Sequence, residues 1–238
     1  MNNINLLGLT AGVSTLIFAG NATADFNGIS WTSSSSAYGD TYLIYADVDA
    51  GSQLNAVYGD NNVALNIEGT SAFYQNAFGG ATVASMNPAF FPVFPSMVYD
   101  SFVTIGLVTN VGNAMLDIGI DFANFEAGGA IWTDNGSWFA TPDDSQVYEV
   151  GGQVLIGRFT VATGEGVFGT INMQGKNADD SNWYATDVNF IEVSPHNTSH
   201  FLYSIHFAVN VGKRGTFALS DADSLNCNDL PFCRSHVH

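Results

Sequence analysis

The chain of 238 residues is 46% hydrophobic and 13% aromatic but only 11% charged, and its 22 acidic against 5 basic residues leave a net charge of −17. A surface this acidic repels a phosphate backbone and releases no counterions on meeting one, so nucleic-acid partners are excluded. The apolar fraction suffices for a packed core, and abundant aromatics with Gly, Ser and Asn favour strands over helices.

The first element is the apolar run LLGLTAGVSTLIFAG, Leu6–Gly20, which is shorter than a bilayer span requires. Ala22 and Ala24 follow it as an A-x-A cleavage signature. Residues 1–24 therefore read as a secretory signal peptide with Asp25 as the mature start, although no Lys or Arg precedes the run. This places the protein outside the cell or on its surface, with no stable membrane span in the mature chain.

From residue 28 onward the apolar period is mostly two. In 41–49, Tyr42, Ile44, Ala46 and Val48 alternate with Leu43, Tyr45, Asp47 and Asp49, the pattern of a strand with one buried face. Further strands are predicted over 53–59, 62–68, 100–108, 152–161, 166–174 and 181–191, punctuated by turn clusters at 134–137, 141–144, 163–166 and 176–180. After the leader no long segment carries a helical period. The pattern predicts about nine strands in one all-β domain over 25–192, two antiparallel sheets packed as a β-sandwich or jelly roll.

The stretch SMNPAFFPVFPSMVYDSF, Ser85–Phe102, departs from this alternation. Pro88, Pro92 and Pro95 bar a central strand and a continuous helix, while Phe90, Phe91 and Phe94 are too apolar for a free linker. The segment predicts a long loop with a helical turn, packed against an edge or end of a sheet. Two roles stay open for it: a plug closing the sandwich, or an aromatic platform for sugar rings. The candidate ligand-binding residues are Phe90, Phe94 and Tyr99, joined by Trp138 beside the DNGS turn, where exposure is expected. Trp183 falls in an alternating strand and is expected in the core.

For metal, the candidates are Asp47 and Asp49 ahead of Gly51, and Asp179 with Asp180 in an Asn/Ser-rich turn. Carboxylates in turns are hard oxygen ligands of the kind calcium takes, although no EF-hand loop or calcium nonapeptide is present. Solvated loop acids are the competing reading, and no other cofactor is implied. There is no G-x-S-x-G and no H-E-x-x-H, and all five His lie at 196 or beyond, so no Ser–His–Asp set fits within 25–192. The 19 acids of that segment leave room for a pair of glycoside-cleaving carboxylates without specifying one. A non-catalytic protein is the expectation.

Near residue 193 the chain changes character: 193–238 holds every His, three of the five bases, and Cys227 and Cys233, which can close a small disulfide loop in an oxidising compartment. The ordered blocks QLNAVYGD (53–60), FYQNAFGG (73–80), NPAFFPVFPSMVYDSFVTIG (87–106), GSWFATPDD (136–144) and VLIGRFTV with GTINMQGKNADDSNWYATDVNF (within 154–190) resemble a family of exported bacterial proteins. Many members, familiar from planctomycetes and other aquatic bacteria, end in a PEP-CTERM sorting tail. The resemblance implies an exported β-rich domain and carries no established activity. The tail departs from the pattern, because FLYSIHFAVNVG (201–212) is short for the expected span and 24 residues follow Arg214. It reads as a degenerate sorting segment or an unrelated terminus. The partners expected are extracellular polysaccharide or envelope proteins.

Overall fold

The computed structural model describes residues 26–192. The leader, the 193–238 tail, Cys227 and Cys233 lie outside the described residues. Eleven strands are present among them: β1 (Phe26–Ser36), β2 (Gly39–Val48), β3 (Gln53–Gly59), β4 (Leu65–Gly69), β5 (Phe102–Val103), β6 (Leu116–Ile118), β7 (Ile131–Thr133), β8 (Gly136–Phe139), β9 (Gln153–Val161), β10 (Val167–Lys176) and β11 (Asn182–Glu192). They form two antiparallel sheets. One has the order β1-β2-β9-β5; the other runs β6-β8-β3-β10-β4-β7, with β11 on the free edge of β10. The long β10 pairs with β3 through Asn172–Lys176 and with β4 through Val167–Thr170, which places β3 and β4 end to end along one side of it.

The two-residue period accounts for the core. Tyr42, Ile44, Ala46 and Val48 are all buried and join one hydrophobic cluster with Leu54, Val57, Leu65 and Ile67 of the other sheet, as the alternation predicts. Ile29 and Trp31 of β1 enter the same cluster. The long serine run that follows them hides this strand from a hydrophobic reading. Ser36 and Gly39 pair across a two-residue turn, Ala37–Tyr38. Gly39 sits at φ +124°, and a Cβ there would fall on the Val161 carbonyl oxygen, so the β1–β2 hairpin needs glycine at this point.

Two devices shape the seven-stranded sheet. Asn172 is buried and bridges neighbouring elements: its side-chain carbonyl accepts the N–H of Asp187 (2.9 Å) and its amide donates to the Val63 carbonyl (3.0 Å). It thereby holds the bulge in the β10–β11 ladder, where Asp187 takes φ 55°. Trp183 is buried and donates its indole N–H to the Gln53 carbonyl (3.0 Å), in agreement with its place in the alternation.

The strand expected over 100–108 shortens to Phe102–Val103. The Thr104 hydroxyl turns back to the Leu107 carbonyl (2.8 Å), and Gly106 takes φ +73° with Gln146 packed where a Cβ would be. Past Val103 the chain still donates to β9 from the Thr104 N–H to the Ile156 carbonyl (3.0 Å) and from the Gly106 N–H to the Leu155 carbonyl (2.8 Å), but no longer as a regular strand.

Candidate functional site

Between β4 and β5 the chain makes the irregular excursion that the prolines foretell. It contains three 3₁₀ turns, Val83–Ser85, Pro88–Phe90 and Pro95–Tyr99. Proline opens the second and third, where its missing N–H costs nothing, and the Asn87 side chain caps the second by accepting the Ala89 N–H (3.0 Å). The excursion lies along the β9–β5 edge of the four-stranded sheet. Tyr74 donates its N–H to the Thr160 carbonyl (2.7 Å), Ser101 donates to the Tyr74 carbonyl (3.2 Å), and Val103 donates to the Ala81 carbonyl (2.9 Å). Its own Val83, Met86 and Met97 are buried and join the hydrophobic core.

Two buried ionisable side chains, Arg158 and Asp100, fasten this loop through hydrogen bonds to its backbone. Arg158 of β9 donates through Nε to the Asp100 carbonyl (2.9 Å) and through a terminal nitrogen to the Met97 carbonyl (3.2 Å), and its guanidinium lies 4.4 Å from the centre of the Phe102 ring. Burial lowers its pKa to about 10, with the Asp100 charge working against the shift, so it stays cationic at neutral pH. The Asp100 carboxylate accepts the N–H groups of Asn76 (2.6 Å) and Gly80 (3.0 Å). A Cβ at Gly79 would land on that carboxylate, so the Gly79–Gly80 pair is what lets the backbone close over it. Burial pushes the Asp100 pKa up to about 6 against the pull of the Asn76 and Gly80 N–H groups and Arg158. A carboxyl near neutrality invites a general-acid reading. Asp100 is 0% exposed and its oxygens are already engaged, which makes it an anchor instead.

Outward from this anchor the loop presents a continuous strip of rings. Phe78, 54% exposed, stacks on Phe94 with ring centres 3.8 Å apart, and Phe90, 49% exposed, meets Phe94 edge-on at 6.5 Å. Tyr38, from the β1–β2 turn, lies over Tyr99 (5.2 Å) and against Tyr74 (5.1 Å). Asn76 joins the two groups: its amide donates to the Tyr74 hydroxyl (3.0 Å) and the Ser96 hydroxyl (2.8 Å), and its side-chain carbonyl accepts the Phe78 N–H (3.0 Å). Exposed rings interleaved with hydroxyls and an amide form a surface suited to polyols. The C–H-bearing face of a sugar packs on the ring, and its hydroxyls meet the polar groups.

The structure thus brings together Phe90, Phe94 and Tyr99 from the sequence-predicted set and adds Tyr38, Tyr74, Asn76, Phe78 and Ser96. Trp138 is a correction. It is 0% exposed, points into the sandwich from β8 and donates its indole N–H to the Thr104 carbonyl (3.1 Å). Its pairing with Val57, which belongs to the core, dictates that direction, so it cannot serve a ligand. Phe78 was legible only as part of a glycine turn, and Tyr38 sits in a hairpin turn remote in sequence; neither carries a local signal of its partner.

The candidate calcium ligands do not converge. Asp47 accepts from the Ser30 hydroxyl (2.6 Å) and the Gln153 amide (3.1 Å), and Asp49 accepts from the Asn27 amide (2.9 Å). Asp179 accepts from Ser181, and Asp180 lies 3.9 Å from the Lys176 ammonium. The two turns do adjoin, since a Cβ on Gly51 would come within 3.2 Å of Ala178. Even so, no group of three or more His, Cys, Asp or Glu side chains placed to hold a metal occurs among the described residues. No helix among them is long and apolar enough to cross a membrane.

Comparison with family models, with characterised proteins and with solved structures returns no match for this chain. The functional reading therefore rests on the fold and on the strip itself.

Proposed function

We propose that the protein is an exported, non-catalytic β-sandwich of the cell surface or extracellular matrix, and that it associates with polysaccharide through the aromatic strip of residues 74–99 and Tyr38. The observation that carries this reading is the half-exposure of Phe78 and Phe90 on a loop fastened by the hydrogen bonds of Asp100 and Arg158. Rings kept exposed at a fixed spacing lose little conformational entropy when a ligand stacks on them. The leader-like segment and the resemblance to exported proteins support the location, and the acidic skin favours neutral ligands over phosphate-rich ones.

The test is co-sedimentation of the full chain with a panel of insoluble neutral and anionic polysaccharides, alongside a reducing-sugar assay on the same material. Saturable binding that Phe78→Ala with Phe90→Ala abolishes, with no release of reducing ends, is the expected result. Failure of every polysaccharide to retain the protein, or steady release of reducing ends, overturns the proposal.

A further inference from the structure

The outer face of the seven-stranded sheet carries a second arrangement that the strip does not explain. Register places Leu116, Phe139, Ala56, Gln174 and Tyr184 directly opposite one another on β6, β8, β3, β10 and β11. Directly paired residues share a face, and Trp138 beside Phe139 points inward, so this row points outward. At about 4.8 Å between strands the row spans roughly 19 Å.

At its β10–β11 end the row opens into a depression of about 170 Å³, lined in part by Asn55, Pro142, Gln174, Lys176, Asn182 and Tyr184. The Tyr184 ring is 49% exposed. Among the described residues the side chains of Gln174, Asn182 and Tyr184 make no hydrogen bond to protein, so two amides and a phenol face the depression with their capacity unspent.

Charge decides the ligand class. Residues 26–192 hold two bases, and with Arg158 buried, Lys176 is the cation at the surface. It is already matched by Asp180 at 3.9 Å and by the field of Asp143, whose carboxyl is held low chiefly by the Gln53 amide and the Tyr148 hydroxyl. The depression therefore has no positive charge to spare for a carboxylated or sulfated sugar. A ring, a proline face and free amides fit a neutral hexose.

We infer that this depression is a second carbohydrate subsite, which binds a neutral hexose of a polysaccharide chain with Tyr184 as the stacking ring and Gln174, Asn182 and Lys176 as hydroxyl partners. It rests on the proposed function for its ligand class and is separate from the aromatic strip in its residues.

The experiment is affinity electrophoresis of the full chain through native gels containing glucomannan or polygalacturonate, comparing wild type, Tyr184→Ala, Tyr184→Phe and the Phe78→Ala/Phe90→Ala pair. Tyr184 is half exposed, so its variants keep the fold. Retardation by glucomannan and not by polygalacturonate is expected. The affinity should fall on the order of tenfold in Tyr184→Ala and survive largely in Tyr184→Phe, because the ring and not the hydroxyl does the stacking. Equal retardation of wild type and Tyr184→Ala overturns the subsite; if the Phe pair alone loses retardation, the strip reading stands without it. If Tyr184→Ala alone loses it, the subsite stands and the strip falls. Stronger retardation by polygalacturonate, or none by either gel, refutes the subsite.

Discussion

Replacing Asp100 with Asn tests the anchor under the aromatic loop. The group's pKa rises from 3.8 to about 6 in the folded protein, with burial as the largest cause. A raised folded pKa means that Asp100 contributes its stability below the unfolded value and loses it as pH climbs through the folded one. At about 1.4 kcal/mol per unit the full loss is roughly 3 kcal/mol, of which about 2 kcal/mol falls between pH 4 and pH 7. Asn does not titrate. It keeps one acceptor for the Asn76 and Gly80 N–H groups and turns an NH₂ toward the other, at a pH-independent cost of about 1–3 kcal/mol. Urea unfolding of both proteins, followed by the fluorescence of buried Trp138 and Trp183, gives the difference at each pH and cancels every other titrating group. The variant should gain about 2 kcal/mol on the wild type from pH 4 to pH 7. Stability curves that run parallel over this window refute the placement of the carboxyl.

Three further outcomes follow from the packing. Trp138→Ala leaves a large void in the sandwich and strands the Thr104 carbonyl, so unfolding should show a loss of about 3–5 kcal/mol. Polysaccharide binding by the molecules that remain folded should be unchanged. Gly39→Ala forces a side chain onto the Val161 carbonyl at a positive φ, and a thermal melt should show a larger loss than the ~1 kcal/mol typical of a helix glycine exchange. Calcium and a chelator should leave the melting temperature unchanged, because Asp47, Asp49, Asp179 and Asp180 are each engaged by neighbouring donors of the protein and form no cluster of three ligands among the described residues.

β2 was legible because it alternates over 41–48, which sets its buried face, whereas β3 and β9, buried at nearly every position, were legible as apolar runs bounded by turn residues. β1 escaped because serines occupy positions where apolar residues would have marked the period, and β6, β7 and β8 are too short to show one. Trp138 illustrates the limit well. In a four-residue strand Gly136 and Trp138 alternate with Ser137 and Phe139, and either face reads equally well. The choice is made by pairing with Val57, some eighty positions away, and local sequence cannot express it. The proline-rich loop was legible in outline, since proline geometry is local. Its strip was legible for Phe90, Phe94 and Tyr99 but not for Tyr38 and Phe78, which come from outside the proline-rich stretch to stack on Tyr99 and Phe94. Tyr184 was not singled out in the sequence: its outward direction follows from the inward Trp183 beside it, and its depression needs Asn55 and Pro142 from other parts of the fold.

The most direct test of the central claim is amide hydrogen exchange on the full chain with and without a soluble polysaccharide that retains it. The account predicts added protection across 74–99 and at the Ala37–Tyr38 turn, the segments that carry the rings. Bound polysaccharide that leaves exchange in 74–99 unchanged would contradict it.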